Sequence, residues 1–295
     1  SGPIAGPEYD IRADYGRQSG GNLFHSFGRF SVGAGERATF SGPGSVSNII
    51  GRVTGGDLSR IDGTLRSTIS GADLFLLNPA GVIFGAGAAL DLTGAFHVGA
   101  ADALQFSDGM SFQGVPASGE ILSAAPPSAF GFLSDGAGGE VRIEGDLSVP
   151  AGESLTVAGR GVTVSGSLAA PDGRVRLDAV AGSGEAPLDI GDGGIGDDPP
   201  SIDGDVILAA GASVDVSGDG GGTVVIRGGR FYADEAAIWA ETYGDADGGR
   251  IDIGTGDGGV TLDGGSLILT DTEAGGDAAG DSTREGVATE GSDRA

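Results

Sequence analysis

The chain has 295 residues, lacks cysteine, and sets 42 acidic side chains against 16 basic ones, all arginine, for a formal charge of −26. A field of that sign repels phosphate backbones and anionic lipid, which argues against nucleic-acid binding and membrane insertion or adsorption. No apolar run is long enough for a membrane-crossing helix, no disulfide framework is available, and the 61 glycines follow no Gly-X-Y period, so a spanning helix, a disulfide scaffold and a collagen are excluded.

Residues 1–21 are polar, with Tyr9, Ile11 and Tyr15 offering at most one irregular edge strand. Aromatics then gather: Phe24, Phe27 and Phe30 recur at every third residue, out of step with strand alternation, and a turn after Phe24 would restore it. Ala38-Thr39-Phe40, Asn48-Ile49-Ile50-Gly51-Arg52-Val53 and Ser59-Arg60-Ile61-Asp62-Gly63-Thr64-Leu65 follow as strand-turn units separated by glycine.

Residues 72–85 organise what surrounds them. Leu74-Phe75-Leu76-Leu77 is a run of four apolar residues, which suits a strand buried on both faces, and Val82-Ile83-Phe84 is a second apolar run. Between them lies Asn78-Pro79-Ala80-Gly81. Asn78 can bond its own backbone two residues on, Pro79 presets φ for the second position of a turn, and Gly81 suits the fourth. The pattern predicts a stiff corner between two buried strands.

From there a short motif repeats: apolar, any, apolar, small or polar, Gly. It occurs as Leu90-Asp91-Leu92-Thr93-Gly94, Val141-Arg142-Ile143-Glu144-Gly145, Leu155-Thr156-Val157-Ala158-Gly159, Val162-Thr163-Val164-Ser165-Gly166 and Val214-Asp215-Val216-Ser217-Gly218. Each such strand turns two apolar side chains inward and cannot bury them alone, whereas stacked coils form one continuous core. Sandwiches and barrels also use short strands, but they prefer two-residue hairpin loops and more even strand lengths. The irregular spacing and small corner residues favour an all-β parallel β-helix.

Two stretches interrupt the period. Residues 111–134, with Pro116, Pro126, Pro127, Phe130 and Phe132, read as an excursion packed on the helix flank; residues 182–200 are rich in Gly, Asp and Pro and read as a loop. From Glu273 the chain has no apolar pattern and reads as disordered. The resulting division is 1–180, an acidic loop at 181–204, further coils at 205–272, and a tail at 273–295.

Candidates for chemistry are sparse. His25 and His97 are the only histidines, each set among apolar residues as a packed core histidine would be, and no G-x-S-x-G elbow is present. Acids such as Asp197, Asp198, Asp203 and Asp205 fall where solvated side chains are expected, so a carbohydrate-active β-helix enzyme is the weaker alternative. A calcium-bound structural solenoid is a third reading, because Gly218-Asp219-Gly220-Gly221-Gly222 and Gly256-Asp257-Gly258-Gly259 echo fragments of a calcium repeat without its period. The expectation is no catalytic residue, no metal site and no cofactor.

The ordered series Asn22-Leu23-Phe24-His25-Ser26-Phe27, Ser47-Asn48-Ile49-Ile50-Gly51-Arg52-Val53-Thr54-Gly55, Ile61-Asp62-Gly63-Thr64-Leu65 and the whole of 72–85, with Pro126-Pro127-Ser128-Ala129-Phe130-Gly131-Phe132-Leu133, resembles the filamentous haemagglutinin N-terminal domain. That is the secretion domain of two-partner secretion exoproteins of Gram-negative bacteria. The resemblance covers roughly residues 8–180. It implies a right-handed parallel β-helix with an N-terminal cap and extra-helical β-hairpins, export through the periplasm and across the outer membrane, and recognition by the POTRA domains of a dedicated outer-membrane transporter.

The family's Asn-Pro-x-Gly-Ile motif falls on Asn78, Pro79, Gly81 and Val82, with Ala80 in place of the usual asparagine; a second motif, Asn-Pro-Asn-Leu, has no match. Asn48 joins these as a candidate recognition residue, and Phe24, Phe27 and Phe30 become candidates for the cap. The implied function is secretion and targeting of a large surface or secreted exoprotein, an adhesin, whose contacts with host glycans or proteins would lie in further repeats. An unfolded chain threaded through a pore gains from having no disulfide, and a solenoid that adds coils one at a time can bias its exit by folding outside.

Overall fold

The computed structural model describes residues 2–133, 138–188, 203–245, 248–272 and, for the backbone, 284–288. Nearly every element is a strand. A short 3-10 turn at Ala13–Tyr15 interrupts the start, between β1 (Glu8–Arg12) and β2 (Arg17–Ser19), and β3 (Asn22–Phe27) follows.

Three-strand coils then wind in sequence. The first holds β4 (Arg37–Ser41), β5 (Asn48–Val53) and β6 (Ser59–Ile61), and the next β7 (Thr64–Ser67), β8 (Asp73–Leu77) and β9 (Val82–Phe84). The third begins with β10 (Ala89–Asp91) and β11 (Phe96–Gly99), leaves the helix for β12 (Ala103–Phe106), β13 (Ser111–Gln113) and β14 (Pro127–Phe132), and closes with β15 (Val141–Ile143). A fourth comprises β16 (Asp146–Ser148), β17 (Ser154–Gly159) and β18 (Val162–Val164). The fifth has β19 (Ser167–Ala169) and β20 (Arg174–Ala179), departs for β21 (Gly184–Pro187), and returns as β22 (Asp205–Leu208). After β23 (Ser213–Asp215), β24 (Thr223–Asp234) bends through two faces; β25 (Ala237–Trp239) and β26 (Arg250–Asp263) repeat that pattern before β27 (Leu267–Asp271) and β28 (Arg284–Ala288).

Like strands stack in parallel, so the chain is a parallel β-helix with three faces. The long face runs β3, β5, β8, β11, β17, β20 and the first half of β24; a second face runs β6, β9, β15, β18, β22 and the second half of β24. The third runs β1, β4, β7 and β10, then β16, β19, β23, β25 and β27. Register places Leu23, Ile49, Leu74, Phe96, Leu155, Val175 and Val224 in one interior ladder, each buried. Every coil thus contributes an apolar side chain to a core that no single strand could form.

Both excursions leave from the corner between the long and second faces, and they meet. β13, β12, β14 and β21 form an antiparallel sheet in which residues 129–132 pair with residues 184–187. This sheet lies on the outside of the long face over a second core. Phe24, Ile50, Phe75 and Leu77 point out of the helix into it, and Leu104, Phe106, Phe112, Phe130 and Phe132 point down from the sheet. The unbroken run Leu74–Leu77 is explained at once: Leu74 and Leu76 fill the inner core, while Phe75 and Leu77 fill the outer one.

Three expectations change in detail. No turn follows Phe24, because β3 continues to Phe27 and the outward-facing phenylalanine has its own core to enter. Residues 184–187, expected to be loop, form β21, and the coils on either side stack without a break, β20 on β24 and β18 on β22. Residues 284–288 of the expected disordered tail pair with β27. The other residues of 273–295, and residues 189–202 of the expected loop, lie outside the described residues.

Candidate functional site

The Asn78 corner joins the end of β8 to the start of β9. The backbone N–H of Gly81 donates to the carbonyl of Asn78 at 2.9 Å, closing the turn, and the N–H of Ala80 donates to Asn78 Oδ1 at 3.0 Å. Gly81 holds φ at +108°, a conformation that strains any side chain with a Cβ. The amide Nδ2 of Asn78 spends both protons on the preceding coil, reaching the carbonyl of Asp57 at 3.0 Å and Ser59 Oγ at 2.9 Å.

Backbone bonds tie the same turn to the coil that follows. The N–H of Asn78 donates to the carbonyl of Gly99 at 3.0 Å, that of Gly139 to the carbonyl of Pro79 at 2.9 Å, and that of Val82 to the carbonyl of Glu140 at 3.1 Å. One side chain therefore locks the turn and ties it to the coil below, where the N–H of Ser59 also donates to the carbonyl of Gly81 at 3.1 Å, while backbone bonds tie it to the coil above. Asn78 and Val82 are fully buried. Pro79 and Ala80 are half-buried, and Leu58, 47% exposed, lies beside Gly81.

Asn48 stands apart from this corner. It opens β5, in register with Asp73 at the start of β8, and so sits at the opposite end of the long face from Asn78, roughly 17 Å along the strands. Its Nδ2 donates to Asn22 Oδ1 at 2.8 Å, and Asn22 Nδ2 donates in turn to the carbonyls of Ser123 and Ala125 at 3.1 and 2.7 Å. The two asparagines stitch the first strands to the excursion.

The three phenylalanines divide. Phe27 and Phe30 pack together with ring centroids 4.8 Å apart, and Phe30 lies 6.2 Å from Phe40, at the N-terminal end of the inner core. Phe24 turns the other way and contacts Phe112 at 4.9 Å and Phe106 at 5.9 Å in the outer core.

His25 is wedged between Phe27 and Phe40, and His97 stacks on Phe75 at 4.4 Å. Desolvation lowers the His25 pKa to about 4 and the His97 pKa to about 3, so both rings are neutral at pH 7. Asp205 ion-pairs with Arg230 at 2.5 Å, and Asp197 and Asp198 lie outside the described residues. Among the described residues, no group of three or more His, Asp or Glu side chains gathers as a metal site, and no helix is long and apolar enough to cross a membrane.

Sequence reasoning passed over two arginines that fasten the excursions. Arg52 reaches Glu120, and Arg160 donates to the carbonyl of Ala181 at 2.7 Å while pairing with Asp102 at 3.3 Å. A cation inside the apolar string Ile49-Ile50-Gly51-Arg52-Val53 was the available signal, since a buried charge requires a partner.

Residues 9–284 match the family model described as the TPS secretion domain. The chain belongs to the two-partner secretion domain family. Its fold is similar to the crystal structure of the HMW1 secretion domain from Haemophilus influenzae, with a TM-score of 0.55 and 19% identity over 94% of this chain and 74% of that one. The crystal structure of the filamentous hemagglutinin secretion domain aligns with a TM-score of 0.45 and 18% identity, over 83% of this chain and 91% of that one. Among curated proteins no relative matches the sequence. As a TPS secretion domain the chain is the export-directing part of a two-partner exoprotein of Gram-negative bacteria, destined for secretion or the cell surface, and its partner is a transporter in the outer membrane.

Proposed function

We propose that this TPS domain acts without catalysis, as the segment recognised by the periplasmic POTRA domains of its transporter and as the seed on which β-helix coils form outside the cell. The observation that carries this reading is the double attachment of the Asn78 corner. Its side chain and the Gly81 carbonyl bond the coil before it, and its backbone bonds the coil after it, so closing one turn fixes the register of three successive coils. A seed needs that property, because each later coil can only stack on a neighbour already in register.

Burial also orders the events. Asn78 is inaccessible once the corner closes, so a partner can touch its amide only while the chain is still open; on the folded domain it meets Pro79, Ala80 and Leu58 instead. Asn48 takes part through the asparagine pair that anchors the excursion, and Phe24, Phe27 and Phe30 close the N-terminal end, Phe24 from the outer side and the other two from within. The parent exoprotein is an adhesin whose contacts with host glycans or proteins lie in other segments. Co-expression tests the reading: the domain reaches the medium only with its cognate transporter present, and equal export without that transporter would sink it.

A further inference from the structure

The third face changes character towards its C-terminal end. Along most of its length the side chains that point outward are polar: Asp10, Thr39, Arg66 and Asp91 follow one another in register. In the later coils an outward column runs in register from Ser148 through Ala169 and Asp215 to Trp239 and then Leu269, with Ala237 and Leu267 in the column beside it. Trp239, the only tryptophan of the chain, is half-buried and faces out, because its neighbour Ile238 fills the inner core.

The surroundings are acidic. Asp215 is the cross-strand neighbour of Trp239, and Glu241 lies two residues on, on the same side. The Tyr243 hydroxyl donates to Glu241 at 2.9 Å. Its pKa is raised, first by that hydrogen bond and also by the charge of Asp215, so the two carboxylates act on one spot. The cations of residues 203–272 are Arg227, Arg230 and Arg250, and each pairs with Asp252 or Asp205 away from the third face. Asp215 and Glu241 are thus half-buried beside an indole ring, Asp215 accepting from the Ser217 N–H at 2.9 Å and Glu241 from Tyr243, and among the residues whose side chains are described no cation pairs with either.

Size and charge narrow the occupant. Two strands about 4.8 Å apart, with outward positions about 7 Å apart along each, give an apolar platform on the order of 100–200 Å². A globular partner needs about 800 Å² on its side, which this platform does not offer. The indole face attracts a cation, most strongly when the ligand is a guanidinium that can stack on it. Leucine side chains alongside receive the aliphatic stem of an arginine or lysine. The chain's net charge of −26 steers cations towards the site and disfavours anions.

We propose that Trp239, Asp215, Glu241 and Leu269 form a docking site for an extended basic peptide segment, one arginine or lysine head lying on the indole and pairing with the two carboxylates. This site is separate from the Asn78 corner and does not depend on how the transporter is recognised.

A single tryptophan makes the test site-specific. The full chain is titrated at low salt with a capped oligo-arginine peptide while Trp239 emission is followed, and a capped oligo-glutamate and a neutral maltooligosaccharide serve as the comparison probes. The expected result is a saturating change with oligo-arginine alone, weakened about threefold by Asp215→Asn or Glu241→Gln and further by added salt. Asp10→Asn, at the far end of the same face, leaves it unchanged. An unaltered titration in the double variant Asp215→Asn/Glu241→Gln would mean diffuse attraction to a polyanion and would overturn the proposal. So would silence with oligo-arginine, or saturation by the maltooligosaccharide instead, which would make the platform a sugar site.

Discussion

Arg52 and Glu120 close a bidentate ion pair across 68 residues of chain, with Nη1–Oε1 and Nη2–Oε2 both at 2.7 Å. The guanidinium also donates to Ser26 Oγ at 2.8 Å and to the carbonyl of Gln113 at 2.7 Å, and it lies 4.0 Å from the Phe112 ring centroid. One side chain therefore connects β3, β5 and the excursion. Both partners are nearly buried, and removing one leaves the other's charge uncompensated. Arg52→Ala is expected to cost about 3 kcal/mol in urea unfolding, and Arg52→Lys to recover little of it, since a point charge cannot replace a stacked fork. A cost near zero for Arg52→Ala would show that the excursion is held by its apolar core alone.

Asn78→Ala removes the acceptor of the Ala80 N–H and the donors to Asp57 and Ser59 in a site closed to water. Leaving such groups unpaired costs about 1–3 kcal/mol. Asn78→Asp keeps the acceptor but points a carboxylate at the carbonyl of Asp57, so it is expected to be at least as damaging. Secretion titres and urea midpoints of the two variants, measured together, separate two roles. Reduced secretion at unchanged stability would mean that the transporter reads the amide itself; reduction of both in step would mean that the corner acts through folding.

The periodic part of this architecture was legible in the sequence, because each coil repeats the same two inward residues and the same small corner. Leu74–Leu77 even announced burial on both faces. What covers the outer face was not legible. β14 meets β21 across 52 to 58 residues, from Ala129↔Pro187 to Phe132↔Gly184, and nothing local in Gly184-Glu185-Ala186-Pro187 reads as a strand, since only Ala186 is buried. Phe24 looked misplaced for the same reason: a strand with two cores needs no turn to reconcile Phe24 with Phe27. Of the candidate corner, the turn chemistry of Asn78 could be read directly, whereas its bonds to Asp57 and Ser59 depend on which coil stacks below.

Gly99 is a point where the excursion packs tightly on the helix. A methyl group there would lie 2.3 Å from Phe130 Cδ1, inside the outer core, with neither partner free to retreat. Gly99→Ala is expected to destabilise by about 1–3 kcal/mol through overpacking. Phe130→Leu should cost less than its lost volume suggests when combined with Gly99→Ala, because the new methyl fills part of the vacated space. Additive losses in the double variant would place the added methyl's damage in the β11 backbone rather than against Phe130.

His25 and His97 give the fold an acid limit. Their folded pKa values, about 4 and about 3, lie below the ordinary 6.5 because burial disfavours the charged ring. Below pH 6.5 the unfolded chain binds protons that the folded chain refuses, so stability is complete above that pH and falls as the pH drops. The loss is about 1.4 kcal/mol per pH unit for each histidine, continuing to about pH 4 for His25 and about pH 3 for His97. Between pH 7 and pH 5 the two together should remove about 4 kcal/mol, about 2 from each. His97→Phe keeps the stacking on Phe75 and abolishes one titration, so the stability lost between those two pH values should shrink by about 2 kcal/mol relative to the parent chain, the opposing titration of Asp73 and Asp178, raised by burial, being common to both. An unchanged pH dependence would show that His97 charges without leaving its place against Phe75.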